Sequence, residues 1–162
     1  QTELVELHQP YRQYNYENTL PSMDISGLKN MTKLQSLYVY DPASLEPLRG
    51  LTELRTLNIQ ANARNGAISL EPLSGMTKLT ELQIDGHIQG GDLSPLSGLT
   101  ELRSLRVYHS TYLGDNYNNR TYIRSLSPLS GLTKLNSLLV NGTAENIDTS
   151  PVSFVSDLNI SS

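Results

Sequence analysis

Residues 93–105 read LSPLSGLTELRSL, and residues 126–138 read LSPLSGLTKLNSL. Residues 45–57 (LEPLRGLTELRTL) follow the same pattern, and two looser copies run over 70–82 (LEPLSGMTKLTEL) and 25–37 (ISGLKNMTKLQSL). In all five, apolar residues recur every third position and then once more after two: Leu37 and Val39, Leu57 and Ile59, Leu82 and Ile84, Leu105 and Val107, Leu138 and Val140. The closing step of two is strand periodicity, with alternate side chains facing in. The earlier steps of three fit 3₁₀ turns or one short helical turn. Pro47, Pro72, Pro95 and Pro128 suit the first position of such a turn, where a missing N–H costs nothing. Gly50, Gly75, Gly98 and Gly131, three residues further on, suit a left-handed exit. One unit is therefore strand, loop, short turn and return.

A single unit of this kind buries too few side chains to offset the entropy of ordering its backbone, so the units must stack and pair their strands. The expected fold is an α/β solenoid, a right-handed coil with a parallel β-sheet on its concave face and loops and 3₁₀ turns on its convex face. The whole chain, 1–162, reads as a single domain: a partial repeat over 1–22 carrying an insertion, five repeats over about 23–145, and a partial repeat over 146–162. Taking the Leu of the T-x-L step as a mark (Leu4, Leu34, Leu54, Leu79, Leu102, Leu135), the intervals are 30, 20, 25, 23 and 33 residues. At the end, Leu158-Asn159-Ile160 copies Leu57-Asn58-Ile59 and reads as a last strand. Placing Pro151 on the repeat's proline shifts that strand by three residues, so two registers compete.

These residues resemble the leucine-rich-repeat family, and the SPLSGLTEL-type unit is most similar to its bacterial internalin-like group. The resemblance covers about residues 23–160. It implies a non-enzymatic protein that binds a protein or glycan through its concave face, and an extracellular or bacterial cell-surface location. The family pattern LxxLxLxxN is kept only in part: its Asn slot holds Asn62 once, but Pro42, His87, Ser110 and Thr143 elsewhere. Ser and Thr supply part of the backbone hydrogen bonding of an asparagine ladder and Pro does not, so an irregular loop edge is expected there.

Composition narrows the function further. Of 162 residues 28 are Leu, with one Phe, no Trp and no Cys, and the formal charge is −4. No disulfide, thiolate metal site or Cys nucleophile is available, and a mildly acidic chain has no basic stripe for nucleic acid. No run approaches the roughly 18 apolar residues of a membrane span, so membrane insertion is not expected.

Strand alternation sets out the side chains that leave the core. The central outward row is His8, Tyr38, Asn58, Gln83, Arg106 and Leu139; the row nearer the loops is Pro10, Tyr40, Gln60, Asp85, Tyr108 and Asn141; the third is Glu6, Ser36, Thr56, Glu81, Ser104 and Ser137. At about 4.8 Å per strand, six strands make a platform on the order of 24 Å long. All nine tyrosines fall in two repeats: Tyr11, Tyr14, Tyr16, Tyr38 and Tyr40 near the first insertion, and Tyr108, Tyr112, Tyr117 and Tyr122 in the 33-residue unit. Tyrosine gives large, rigid contact area with a polar tip; the alternative is a small satellite core under the long loops. The partner-binding candidates are Tyr38, Tyr40, Asn58, Asp85, Arg106, Tyr108 and Tyr117.

No chemistry of catalysis, metal or cofactor is read from the chain. His87 and His109 come from adjacent strands, one position apart in register, which does not favour a shared ion. The run Asp115-Asn116-Tyr117-Asn118-Asn119 resembles a calcium loop but has Tyr at its third position and no closing acid. Ser110, His109 and Asp85 do not form a triad, because neighbours on a strand point oppositely. No phosphate-binding glycine motif occurs. Four N-x-S/T sequons, at Asn30, Asn119, Asn141 and Asn159, are close to chance in so Asn-, Ser- and Thr-rich a chain. Two other readings stay open: a structural subunit that forms homo-oligomers by stacking uncapped solenoid ends, and the recognition arm of a larger enzyme.

Overall fold

The computed structural model describes residues 6–8, 22–61, 66–111 and 120–162. Seven strands form one parallel sheet in sequence order: β1 (Glu6–His8), β2 (Ser36–Tyr40), β3 (Thr56–Gln60), β4 (Glu81–Gly86), β5 (Ser104–His109), β6 (Ser137–Asn141) and β7 (Asp157–Ser161). The expected solenoid is the fold observed. The register follows the repeat: Leu37, Leu57, Leu82, Leu105, Leu138 and Leu158 stand in one line, and Val39, Ile59, Ile84, Val107, Val140 and Ile160 in the next.

The period-three leucines have a direct counterpart in the backbone. The N–H of Leu48 donates to the carbonyl of Leu45, that of Leu51 to Leu48 and that of Leu54 to Leu51, and the four neighbouring full units repeat this chain of bonds. Each three-residue step is thus one 3₁₀-type bond, and each carries one aliphatic side chain into the core. Leu45, Leu48, Leu51, Leu54 and Leu57 are all fully buried. A short polar side chain two residues before each turn residue it caps accepts that residue's amide: Asp24 for Ser26, Ser44 for Glu46, Asp92 for Ser94, Ser125 for Ser127 and Asp148 for Ser150.

Two local expectations are corrected. Pro47, Pro72, Pro95 and Pro128 are the second residue of their three-residue turns, Glu46–Leu48, Glu71–Leu73, Ser94–Leu96 and Ser127–Leu129, not the first. The second amide of so short a turn also lies free of any intrahelical partner, so proline costs nothing there either. Gly50, Gly75, Gly98 and Gly131 are not left-handed exits, since none has a positive φ. The 3₁₀ bonding runs straight through them to Leu51, Met76, Leu99 and Leu132, which keeps the chain right-handed. A Cβ built at Gly50, Gly75 or Gly131 meets no atom within 4 Å. Alanine at each of these three is therefore expected to raise stability by about 0.4–1 kcal/mol, chiefly by restricting the unfolded chain; thermal unfolding of the triple variant checks it, and a fall in midpoint contradicts it.

The last unit reconciles its two competing registers. Pro151 does occupy the repeat's proline, in the turn Ser150–Val152, and Leu158 does pair with Leu138. Both hold because one three-residue step is missing: Val152 and Val155 are bonded as Leu129 and Leu132 are, and the chain then enters β7 directly.

Candidate functional site

The outward rows stand as the alternation requires. Tyr38, Asn58, Gln83, Arg106, Leu139 and Asn159 are in register along the middle of the sheet, and Tyr40, Gln60, Asp85, Tyr108, Asn141 and Ser161 along the edge nearer the loops. Seven strands extend the platform to about 29 Å. Tyr38, Asn58, Gln83 and Arg106 line one shallow cavity of about 380 Å³, together with Glu81 and Ser104. Three of the sequence candidates are thereby brought together. Tyr40, Asp85 and Tyr108 lie one row away. Tyr38 and Tyr40 are half-buried, whereas Arg106 and Tyr108 are exposed. Tyr117, the other insertion tyrosines Tyr11, Tyr14, Tyr16 and Tyr112, the slot residue Asn62 and the Asp115–Asn119 run lie outside the described residues.

Two charges on this face stand apart. Among the described residues neither Asp85 nor Arg106 has a side-chain hydrogen bond or an ion pair. The paired charges lie elsewhere: Lys78 Nζ is 2.8 Å from Glu53 and Lys134 Nζ 2.7 Å from Glu101, both at the T-x-L step of neighbouring units. Desolvation raises the Asp85 carboxyl above its ordinary pKa, because burial disfavours its charged form.

Sequence reasoning missed the polar cluster at the loop edge. The register offset between His87 and His109 does not separate them, because His87 follows β4 immediately and turns inward. Their rings stack with centroids 5.2 Å apart, and both are buried. His87 Nδ1 lies 2.6 Å from the Ser110 carbonyl and Thr143 Oγ1 donates to the Ser161 carbonyl at 3.1 Å. Two of the substituted Asn slots thus reach the neighbouring unit's backbone as a ladder asparagine does. The signal was present in the sequence as a polar aromatic residue in that slot. Among the described residues no group of three or more His, Cys, Asp or Glu is placed to hold a metal ion.

No family model matches the chain, and no curated protein matches it in sequence. Similar folds occur among solved structures. An internalin C2 from Listeria monocytogenes shares 24 % identity over 86 % of this chain and 66 % of its own, with a TM-score of 0.54. An internalin from the same species shares 28 % over 85 % of this chain and 43 % of its own, with a TM-score of 0.55. The PEPR1–AtPEP1 structure is similar at 20 % identity over 84 % of this chain and 19 % of that one, with a TM-score of 0.62. The chain spans less than two thirds of the length of each.

Proposed function

We propose that this leucine-rich-repeat solenoid, related in fold to the internalins, is a recognition module that binds a protein partner across the concave sheet, with the tyrosines of the loop edge as flanking anchors. The observation that carries the reading is the cavity in which Tyr38, Asn58 and Arg106 converge from β2, β3 and β5. A rigid sheet presents them without ordering cost at binding, and a few such aromatic and Arg anchors carry most of an interface's energy. The unpaired Asp85 and Arg106 offer one attachment point of each sign, which fits a mixed protein surface better than a polyanion. The role is one of binding without catalysis, in an extracellular or bacterial cell-surface setting, as the internalin likeness implies.

The test is a screen of the biotinylated chain against an array of purified secreted and cell-surface proteins and a glycan array. Hits are then re-measured with the Tyr38→Ala/Arg106→Ala and Tyr40→Ala/Tyr108→Ala variants and with Lys78→Ala, an exposed residue of the T-x-L step outside the sheet rows. A protein hit weakened about 100-fold or more by either sheet-face pair, and unchanged by Lys78→Ala, is the expected result. Binding that survives both pairs and is lost with Lys78→Ala overturns the assignment, and hits confined to the glycan array replace the protein partner by a saccharide.

A further inference from the structure

We propose that His87, His109 and Thr121 form an acid-sensitive clasp, which holds residues 120–122, the part of the cavity wall that precedes the bridge of Ile123 to Thr143, against the sheet edge at neutral pH and releases it on acidification. The argument begins with where the protons must be. His87 Nδ1 faces the Ser110 carbonyl at 2.6 Å, so this nitrogen carries hydrogen and donates. Its Nε2 is then a bare acceptor, and the Thr121 hydroxyl lies 3.3 Å from it. His109 has the opposite tautomer. Its Nδ1 accepts the Ile88 N–H at 3.1 Å, and its Nε2–H donates to the Thr121 carbonyl at 3.1 Å. One assignment satisfies every donor and acceptor.

That assignment leaves no place for a further proton on His109, which would have to bind it at Nδ1, already facing the Ile88 N–H. Protonating both rings would also set two cations in a stack 5.2 Å apart. The charged side chains around the cavity that His109 lines are Arg120, Arg124 and Glu145, two cations to one anion, so the surroundings do not favour an imidazolium. Burial, and then the neighbouring His87, lower the His109 pKa, although its bond to Thr121 opposes them.

The sign follows from linkage. The unfolded or opened segment takes up a proton at His109 near the ordinary pKa of about 6.5, and the closed one only at lower pH. The clasp is therefore complete above about pH 6.5 and weakens as pH falls below it. Opening detaches Thr121, whose neighbours Arg120 and Tyr122 line a cavity of about 610 Å³; Arg124, on the far side of the buried Ile123, stays in place with Asn141. Acid thus acts on this cavity, apart from the Tyr38–Arg106 cavity in the middle of the sheet.

Long-range ¹H–¹⁵N spectra of the imidazoles, followed from pH 8 to 5, test the assignment. The expected result is a His87 Nδ1–H and a His109 Nε2–H tautomer at pH 7.5, with His109 titrating below 6.5. Amide exchange, corrected for its intrinsic pH dependence, reads the opening. Protection at Ile88 should fall about tenfold per pH unit below 6.5, the dependence expected of one linked proton, while Ile59 in β3 keeps its protection. The opposite tautomers, a His109 pKa at or above 6.5, or Ile88 protection constant through the titration would each overturn the clasp. Thr121→Val supplies an independent variant that leaves both histidines and the carbonyl in place. It removes the hydroxyl that lies 3.3 Å from both His87 Nε2 and His109 Nε2, and the expected result is lower Ile88 protection at pH 7.5 with the tautomers retained; unchanged protection would contradict Thr121's part.

Discussion

Leu105→Ala is expected to lower the unfolding free energy by about 3–5 kcal/mol, the upper part of the range for a buried leucine. Leu105 is fully buried on β5 and stands between Leu82 on β4 and Leu138 on β6 in the same inward row. Both neighbours are pinned in their own sheet pairings, so the walls of the space left behind have little room to collapse. A total of roughly 0.05–0.15 kcal/mol per residue makes this a large share of the whole. In a solenoid each unit is held only by its neighbours, so a weak central rung also loosens the two sides from each other. Leu158→Ala is the control: it holds the same repeat position on β7 but is 38 % exposed, and its expected cost is under about 1 kcal/mol. Urea unfolding measures both. A lower midpoint with an unchanged slope reports a simple loss of stability, and a shallower slope reports that the array has begun to melt in two parts. A cost for Leu105→Ala no larger than for Leu158→Ala would contradict the packing argument.

The rows of the sheet were legible in the sequence because each unit encodes its own register. A step of two after steps of three fixes where the strand starts, and Leu-x-Val or Leu-x-Ile fixes which side faces in. That is why Tyr38, Asn58 and Arg106 were placed in one row from spacing alone and are found lining one cavity. Features that depend on contacts between units were less legible. Gly50 and Gly142 look alike in a sequence, yet Gly50 lies inside a continuing right-handed turn and Gly142 takes φ +85° beside a neighbouring strand's end. The missing step before β7 was read as a choice between two registers, since a deletion of one whole 3₁₀ step keeps every remaining side chain in phase. Strand register sets His87 and His109 one position apart and does not predict their stacking, because the geometry of the Asn slot governs His87. The alternation of Lys and Glu at the T-x-L step (Lys33, Glu53, Lys78, Glu101, Lys134) was also in plain view. Its ion pairs are exposed and each contributes little.

Gly142→Ala is expected to cost about 2–5 kcal/mol, from strain and collision together. The left-handed backbone at φ +85° costs a residue with a Cβ about 1–2 kcal/mol. The added carbon would also fall against the His109 carbonyl oxygen and 3.0 Å from His109 Cβ, and overpacking of that kind adds about 1–3 kcal/mol. Neither side can yield easily. Gly142 donates its N–H to the Ser161 carbonyl at 2.8 Å and accepts the Ile123 N–H at 3.1 Å, so its own backbone is held from both neighbouring segments. His109 is fixed by its bonds to Ile88 and Thr121. Gly91 repeats the case, with φ +61° and the Tyr122 carbonyl in the path of a Cβ. The decisive comparison is with Gly131→Ala, eleven residues earlier, where no atom lies within 4 Å and a small gain is expected. The same substitution thus carries opposite signs at two glycines of one unit, and thermal unfolding of the two variants side by side reads the difference. Equal midpoints would mean that the loop edge behind β6 gives way to a methyl group, and the tight seating of His109 against Gly142 would have to be abandoned.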